Sequence, residues 1–122
     1  MKLFLFGYGK LGQAIAQSAE KQGHKITGYT TSSELSEEMS SALSQADVAV
    51  EVSTPATAVQ NIRQCLDAKI PVIVGTTGWY DQYEACVAYC KEKNGAMLCA
   101  TNFSIGVNLF FELNKNLAAI MN

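Results

Sequence analysis

The residues of this chain that could do chemistry are small ones. Gly7, Gly9 and Gly12 stand at Gly-x-Gly-x-x-Gly spacing inside LFLFGYGKLG, directly after the apolar run Leu3-Phe4-Leu5-Phe6 and at the start of a helix-periodic stretch from Lys10. Between a buried strand and a helix, that spacing suits a dinucleotide. Gly7 would take the dihedrals of the tight turn, Gly9 would let the backbone approach a pyrophosphate, and Gly12 would let the helix pack closely on the strand. Free N–H groups and the positive end of the helix dipole would then face the phosphates. Glycines that only tighten a strand-helix connection are the plainer alternative.

Three further runs have the same character. Ser53-Thr54-Pro55 closes a strand and opens a helix, with Thr54 as N-cap and Pro55 at the first helical position, where a missing N–H costs nothing. Plain capping accounts for Thr54 and only partly for Ser53, which sits where ligands bind in parallel sheets. Gly75-Thr76-Thr77-Gly78 is a loop whose backbone can approach a flat ring without side chains in the way. Ala100-Thr101-Asn102-Phe103-Ser104 again ends a strand in polar groups and an aromatic. Cofactor preference should be set at the end of the second strand. An Asp or Glu there would bond the ribose 2′-hydroxyl of NAD, and an Arg would accommodate the 2′-phosphate of NADP. The chain offers Thr30-Thr31-Ser32-Ser33 instead, with Glu34 arriving late. Hydroxyls repel neither group, so weak discrimination leaning to NADP is expected. Lys10 would add a cation near that phosphate, and a solvated lysine at a helix start is an equal alternative.

The elements that must position these runs read strand-helix-strand repeatedly. Strands are predicted over Leu3 to Phe6, Lys25 to Tyr29, Asp47 to Val52, Ile70 to Val74 and Ala96 to Ala100. A first helix carries Leu11, Ala14, Ile15, Ser18, Ala19 and Gln22 on one face and stops at Gly23. A short connecting helix is expected within Ser32 to Gln45, another from Pro55 to Leu66, and a last one from about Tyr80 to Lys93 with Tyr83, Val87 and Cys90 inward. Right-handed crossovers put every strand end on one rim, so Gly7 to Gly12, Ser53-Thr54, Gly75 to Thr77 and Ala100 to Phe103 converge on one crevice. The expected fold is α/β, a Rossmann-like doubly wound parallel sheet in a single domain. Residues 1–105 would form the dinucleotide-binding domain and residues 106–122 a helix leading toward a further domain absent from this chain.

Composition narrows the function classes. The 122 residues suit one domain, and 48% hydrophobic with 16% charged content excludes a disordered chain. A net charge of −2 and a pI near 5.3 give no footprint for nucleic acid or an anionic membrane. No apolar run approaches the ~20 residues of a membrane span, and the start does not read as a signal peptide, so a cytoplasmic setting is expected. The four cysteines include no C-x-x-C pair and read as reduced thiols. Cys86 and Cys90 at i and i+4 could supply two metal ligands, but His24 is the single histidine and no acid cluster lies near, so no metal site is expected. His24 itself reads as a solvated turn residue. Residues 106–122 are apolar over roughly 200° of a helical wheel, against the ~100° that one sheet face needs. That excess predicts a missing cover and association through this helix.

Taken together, these residues resemble the dihydrodipicolinate reductase family, also called 4-hydroxy-tetrahydrodipicolinate reductase. The resemblance is carried by Gly7-Tyr8-Gly9-Lys10-Leu11-Gly12, Ser53-Thr54-Pro55, Val74-Gly75-Thr76-Thr77-Gly78-Trp79 and above all Ala100-Thr101-Asn102-Phe103-Ser104-Ile105-Gly106-Val107-Asn108. It covers essentially the whole chain and only the family's amino-terminal half. It implies reduction of the heterocyclic product of dihydrodipicolinate synthase with NADPH or NADH, in diaminopimelate and lysine biosynthesis. It also implies cofactor contacts from Gly7 to Gly12, Gly75 to Thr77 and Ala100 to Phe103, with Thr31 near the adenosine ribose. Glu51-Val52 stands where many members have Asp-Phe, and Thr30-Thr31-Ser32 lacks their charged residues. The resemblance implies, too, that the proton donor and substrate clamp belong to a second domain, leaving no catalytic residue here and a chain inactive alone. A nucleotide-sensing module without a reaction, or the first domain of another small-substrate dehydrogenase, are the alternatives.

Overall fold

Leu3, Phe4, Leu5 and Phe6 have no exposed surface at all, because the strand they form is covered on both faces. The computed structural model describes residues 1–99. In it β1 (Lys2–Phe6), β2 (Lys25–Thr30), β3 (Val48–Glu51), β4 (Val72–Val74) and β5 (Met97–Cys99) pair in parallel in the order β2-β1-β3-β4-β5. The helices are α1 (Lys10–Lys21), α2 (Glu37–Ser44), α3 (Pro55–Asp67) and α4 (Tyr83–Glu92), the last entered through a 3-10 turn, Tyr80–Gln82.

Strand alternation sorts the core into two layers. Leu3, Leu5, Val48, Val50 and Ile73 meet Ile15, Ala16 and Ala19 of α1 on one face. Phe4, Phe6, Ala49, Val72 and Val74 meet Leu43, Ile62, Leu66 and Cys86 of α2, α3 and α4 on the other. The sheet is therefore doubly wound. The chain leaves β1 on one side to form β2 and returns across it to form β3, so the order reverses between β1 and β3. In open α/β sheets that reversal opens a crevice at the carboxyl ends of the strands.

Several local expectations shift. The buried face of α1 is Gly12, Ile15, Ala16 and Ala19, with Ala14 and Gln22 exposed. On α4 the inward residues are Cys86, Tyr89 and Cys90, while Tyr83 is 38% exposed and lies beside Trp79 at 6.0 Å between ring centroids. The connecting helix is shorter than its polar segment, beginning where Ser36 Oγ accepts the Met39 N–H at 3.2 Å. β4 begins at Val72 because the Ile70 N–H turns back to the Cys65 carbonyl at 2.9 Å and Pro71 has no N–H to give. His24 is half-buried, with Nδ1 3.2 Å from the Met1 amino nitrogen. Burial and that amino charge hold its pKa below the ordinary value. It is not a bare solvated turn residue. The expected strand end at Ala100, the polar run Ala100 to Phe103 and the helix over 106–122 lie outside the described residues.

Candidate functional site

The three glycines after β1 do three different jobs. Gly7 has φ +103°, its N–H donates to the Thr30 carbonyl at 2.8 Å, and a Cβ placed on it would stand 2.3 Å from the Val52 carbonyl oxygen. A Cβ on Gly12 would stand 2.3 Å from the carbonyl oxygen of Gly7. Both positions are closed by backbone. Around Gly9, in contrast, a Cβ would meet nothing within 4 Å. Gly9 is also the N-cap of α1, accepting the Gln13 N–H at 3.0 Å, and it offers no side chain to the first turn. The leading N–H groups of a helix have no intrahelical partner, and the first turn of α1 carries no acidic residue. By comparison, α2 has the Ser36 cap together with Glu37 and Glu38. The start of α1 thus combines open space, free donors and positive field, the requirements of an anion site.

Next to this turn, Leu11, Val52, Ser53, Pro55, Gly75, Thr76 and Thr77 line a cleft of about 220 Å³ at the carboxyl ends of β3 and β4. The hydroxyls expected to face a ligand there are partly turned inward. Glu51, the last residue of β3, is wholly buried. Its carboxylate accepts the Ser53 N–H at 3.3 Å, Ser53 Oγ at 2.5 Å, Asn61 Nδ2 at 2.6 Å and the Thr76 hydroxyl. Asn61 Nδ2 also donates to Ser53 Oγ at 3.1 Å, and Thr57 Oγ1 lies 2.8 Å from the same oxygen. Thr54 Oγ1 is 2.8 Å from Thr57 Oγ1, so its hydroxyl is engaged at the start of α3. Sequence reasoning noted Glu51 only as a departure from a family pattern. The available signal was an acid inside the apolar run Val48 to Val52, which a covered strand buries.

At the far end of the crevice, Tyr8 stacks on Tyr29 with centroids 3.8 Å apart and planes 14° off parallel. The loop after β2 bonds to itself: Thr30 Oγ1 accepts the Ser32 N–H at 3.1 Å, and Ser32 Oγ accepts the Glu34 N–H at 3.1 Å. Two glutamines of α3 fasten it, Gln60 and Gln64 donating to the Ser33 carbonyl at 3.1 and 2.6 Å. Thr31 and Lys10 are exposed and do not line the cleft. The structure therefore gathers Leu11, Ser53, Gly75, Thr76 and Thr77 around one space. It sets Gly7 and Gly12 against that wall, leaves Gly9 open, and keeps Tyr8, Lys10, Thr31 and Thr54 outside the lining.

The family described as "Dihydrodipicolinate reductase, N-terminus" matches residues 1–103. A 4-hydroxy-tetrahydrodipicolinate reductase of Christiangramia forsetii is 40% identical over 121 residues, covering 99% of this chain and 50% of that protein. The one from Alkaliphilus oremlandii is 30% identical over 122 residues, 99% of this chain and 49% of that protein. For Neisseria gonorrhoeae the figures are 32% over 95 residues, 78% and 35%. The chain spans half or less of the length of these relatives. Among solved structures, a chain described as a homoserine dehydrogenase from Archaeoglobus fulgidus superposes with a TM-score of 0.65 at 15% identity, covering 81% of this chain and 42% of that one. A dehydrogenase from Thermotoga maritima gives 0.63 at 10% identity, covering 82% and 36%. These two likenesses bear on the fold, a parallel sheet wound with helices on both faces. Among the described residues no helix is long and apolar enough to cross a membrane.

Proposed function

The chain belongs to the dihydrodipicolinate reductase family, matching its amino-terminal part, and from that premise we propose that it is the NADPH- or NADH-binding domain of a 4-hydroxy-tetrahydrodipicolinate reductase. The observation that carries this reading is the open face of Gly9 beside the acid-free start of α1, at the point where strand order reverses. The backbone from Gly7 through Tyr8, Gly9, Lys10, Leu11 and Gly12 takes the pyrophosphate, and Thr31 lies toward the adenosine ribose. Ser53 and Gly75 to Thr77, which line the cleft, take the nicotinamide end, with Thr54 beside them contributing through its main chain, joined in this reading by Ala100, Thr101, Asn102 and Phe103. When bound, the reduced nicotinamide supplies a hydride.

A hydride acceptor also needs a proton donor held on its other side. His24 precedes β2 at the amino edge of the sheet, opposite the edge where the cleft opens. The 122 residues alone accordingly bind cofactor without turning over. The setting is the cytoplasm, in diaminopimelate and lysine biosynthesis, and the strongly apolar sequence of residues 106–122 favours self-association. Calorimetric titration with NADPH and NADH separately tests the core of this reading, which fails if neither gives a binding isotherm. Steady-state turnover by the 122 residues would remove the claim that they act only as a binding domain. Light scattering showing a monomer at high concentration would remove self-association.

A further inference from the structure

We propose that Glu51 is a positioning residue: its carboxylate fixes the loop Gly75–Thr77 against the end of β3 and so, on the nucleotide-binding reading, sets the wall against which the nicotinamide end rests. A carboxylate with no exposed surface must be paired or multiply hydrogen-bonded. No Lys or Arg among the described residues forms an ion pair with it. Its charge is met instead by donors on three segments: Ser53 just past β3, Asn61 on α3, and Thr76 beyond β4.

The loop hangs from this one residue twice. The Gly75 N–H donates to the Glu51 main-chain carbonyl at 2.8 Å, and the Thr76 hydroxyl donates to the side chain. Thr76 in turn accepts the indole N–H of Trp79 on its carbonyl at 2.7 Å, and that indole is 2% exposed. A hydroxyl on an unattached loop has several rotamers. Here any rotation of Thr76 away from the carboxylate strips a donor from a buried charge, so the loop is held in one shape. The neighbouring main chain of Gly75 and Thr77 is then presented to the cleft in a fixed position.

Trp79 is the chain's single tryptophan and makes the test independent of any ligand. Glu51→Gln keeps the shape but sets an amide N–H against these donors, and Thr76→Val removes the loop's own donor. Each should shift Trp79 emission to the red and raise its iodide quenching about threefold well below the melting temperature, with the double variant no worse than the more affected single one. Ile15→Val, in the layer on the opposite face of the sheet, should lower stability without changing the quenching. If Thr76→Val, or a folded Glu51→Gln, leaves emission and quenching as in the wild type, the proposal is overturned. Should Glu51→Gln not fold, Thr76→Val decides alone. In parallel, both variants should weaken NADPH and NADH about tenfold. If the variants' tryptophan responds as described but the wild-type protein binds neither dinucleotide, the nucleotide reading alone fails.

Discussion

Adding one methyl group at each of the three turn glycines should separate folding from binding. Gly9→Ala places its Cβ in open space at an ordinary φ of −77°. Replacing glycine stabilises by about 0.4–1 kcal/mol through the unfolded chain, and alanine at an N-cap loses roughly 0.5–1 kcal/mol against glycine. The two offset, so the melting temperature should stay within ~2 °C of wild type, at about 3–5 °C per kcal/mol for a domain of this size. Gly7→Ala, in contrast, adds about 1–2 kcal/mol for left-handed backbone and 1–3 kcal/mol for overlap with the Val52 carbonyl, a fall of ~10 °C or more. Gly12→Ala meets the Gly7 carbonyl oxygen and should fall similarly. Yet Gly9→Ala fills the approach to the free N–H groups of α1. The loss of one charge-assisted hydrogen bond, about 1.5–3 kcal/mol, should weaken NADPH and NADH roughly 10- to 100-fold. Thermal melts by circular dichroism and calorimetric titration of the same samples read both quantities. Unchanged affinity in Gly9→Ala, or a melting temperature as low as that of Gly7→Ala, would refute the reasoning.

Other outcomes follow from single residues. Thr31→Asp should shift selectivity about tenfold toward NADH, since a carboxylate there bonds a ribose 2′-hydroxyl and repels a 2′-phosphate; equal weakening of both cofactors would mean that Thr31 is not at the ribose. Cys65 is buried, and desolvation followed by the nearby Glu51 charge pushes its thiol up. At pH 8, iodoacetamide should modify Cys65 only as fast as the protein unfolds, so labelling within minutes under native conditions would contradict the packing. The Tyr89 hydroxyl, and after it the Lys93 ammonium 3.4 Å away, hold the Asp67 carboxyl below its usual range. A depressed carboxylate contributes stability above its unfolded pKa of about 3.9 and loses it as pH falls through the lower folded value. The small melting-temperature gap between wild type and Asp67→Asn should therefore close as pH drops below ~4; a gap constant from pH 7 to pH 2 is the adverse result.

The strands and helices were legible because each is announced locally. Continuous apolar runs at Leu3 to Phe6 and Val72 to Val74 mark strands buried on both faces, and Gly23 and Pro55 mark a helix end and a helix start. What was illegible depended on partners far along the chain. Thr76 reads as a ligand-facing hydroxyl because the carboxylate it serves is 25 residues away; Ser53, only two residues from that acid, is drawn in with it by Thr57 and Asn61 on the following helix. Periodicity leaves the faces of α1 and α4 open by a fraction of a turn, because Ala14 and Ala16 are the same residue type and Tyr83 and Cys86 can each pack inward. Only the sheet decides between them, burying Ala16 and Cys86. The self-bonded loop around Ser32 was likewise invisible, since what anchors it is a pair of glutamines with no local signal of their own.

Those glutamines turn α3 into a gauge. Its first residue, Pro55, lines the cleft, and Gln64, nine positions on, holds the loop that follows β2. At 1.5 Å per residue the two points are about 13 Å apart along a rigid rod. Both extremities of the crevice are thereby referred to a single straight edge, so tilting or sliding that rod would displace them in concert rather than one at a time. Swapping side chains on the Thr31 loop could then retune which nucleotide is preferred while the span itself stayed constant.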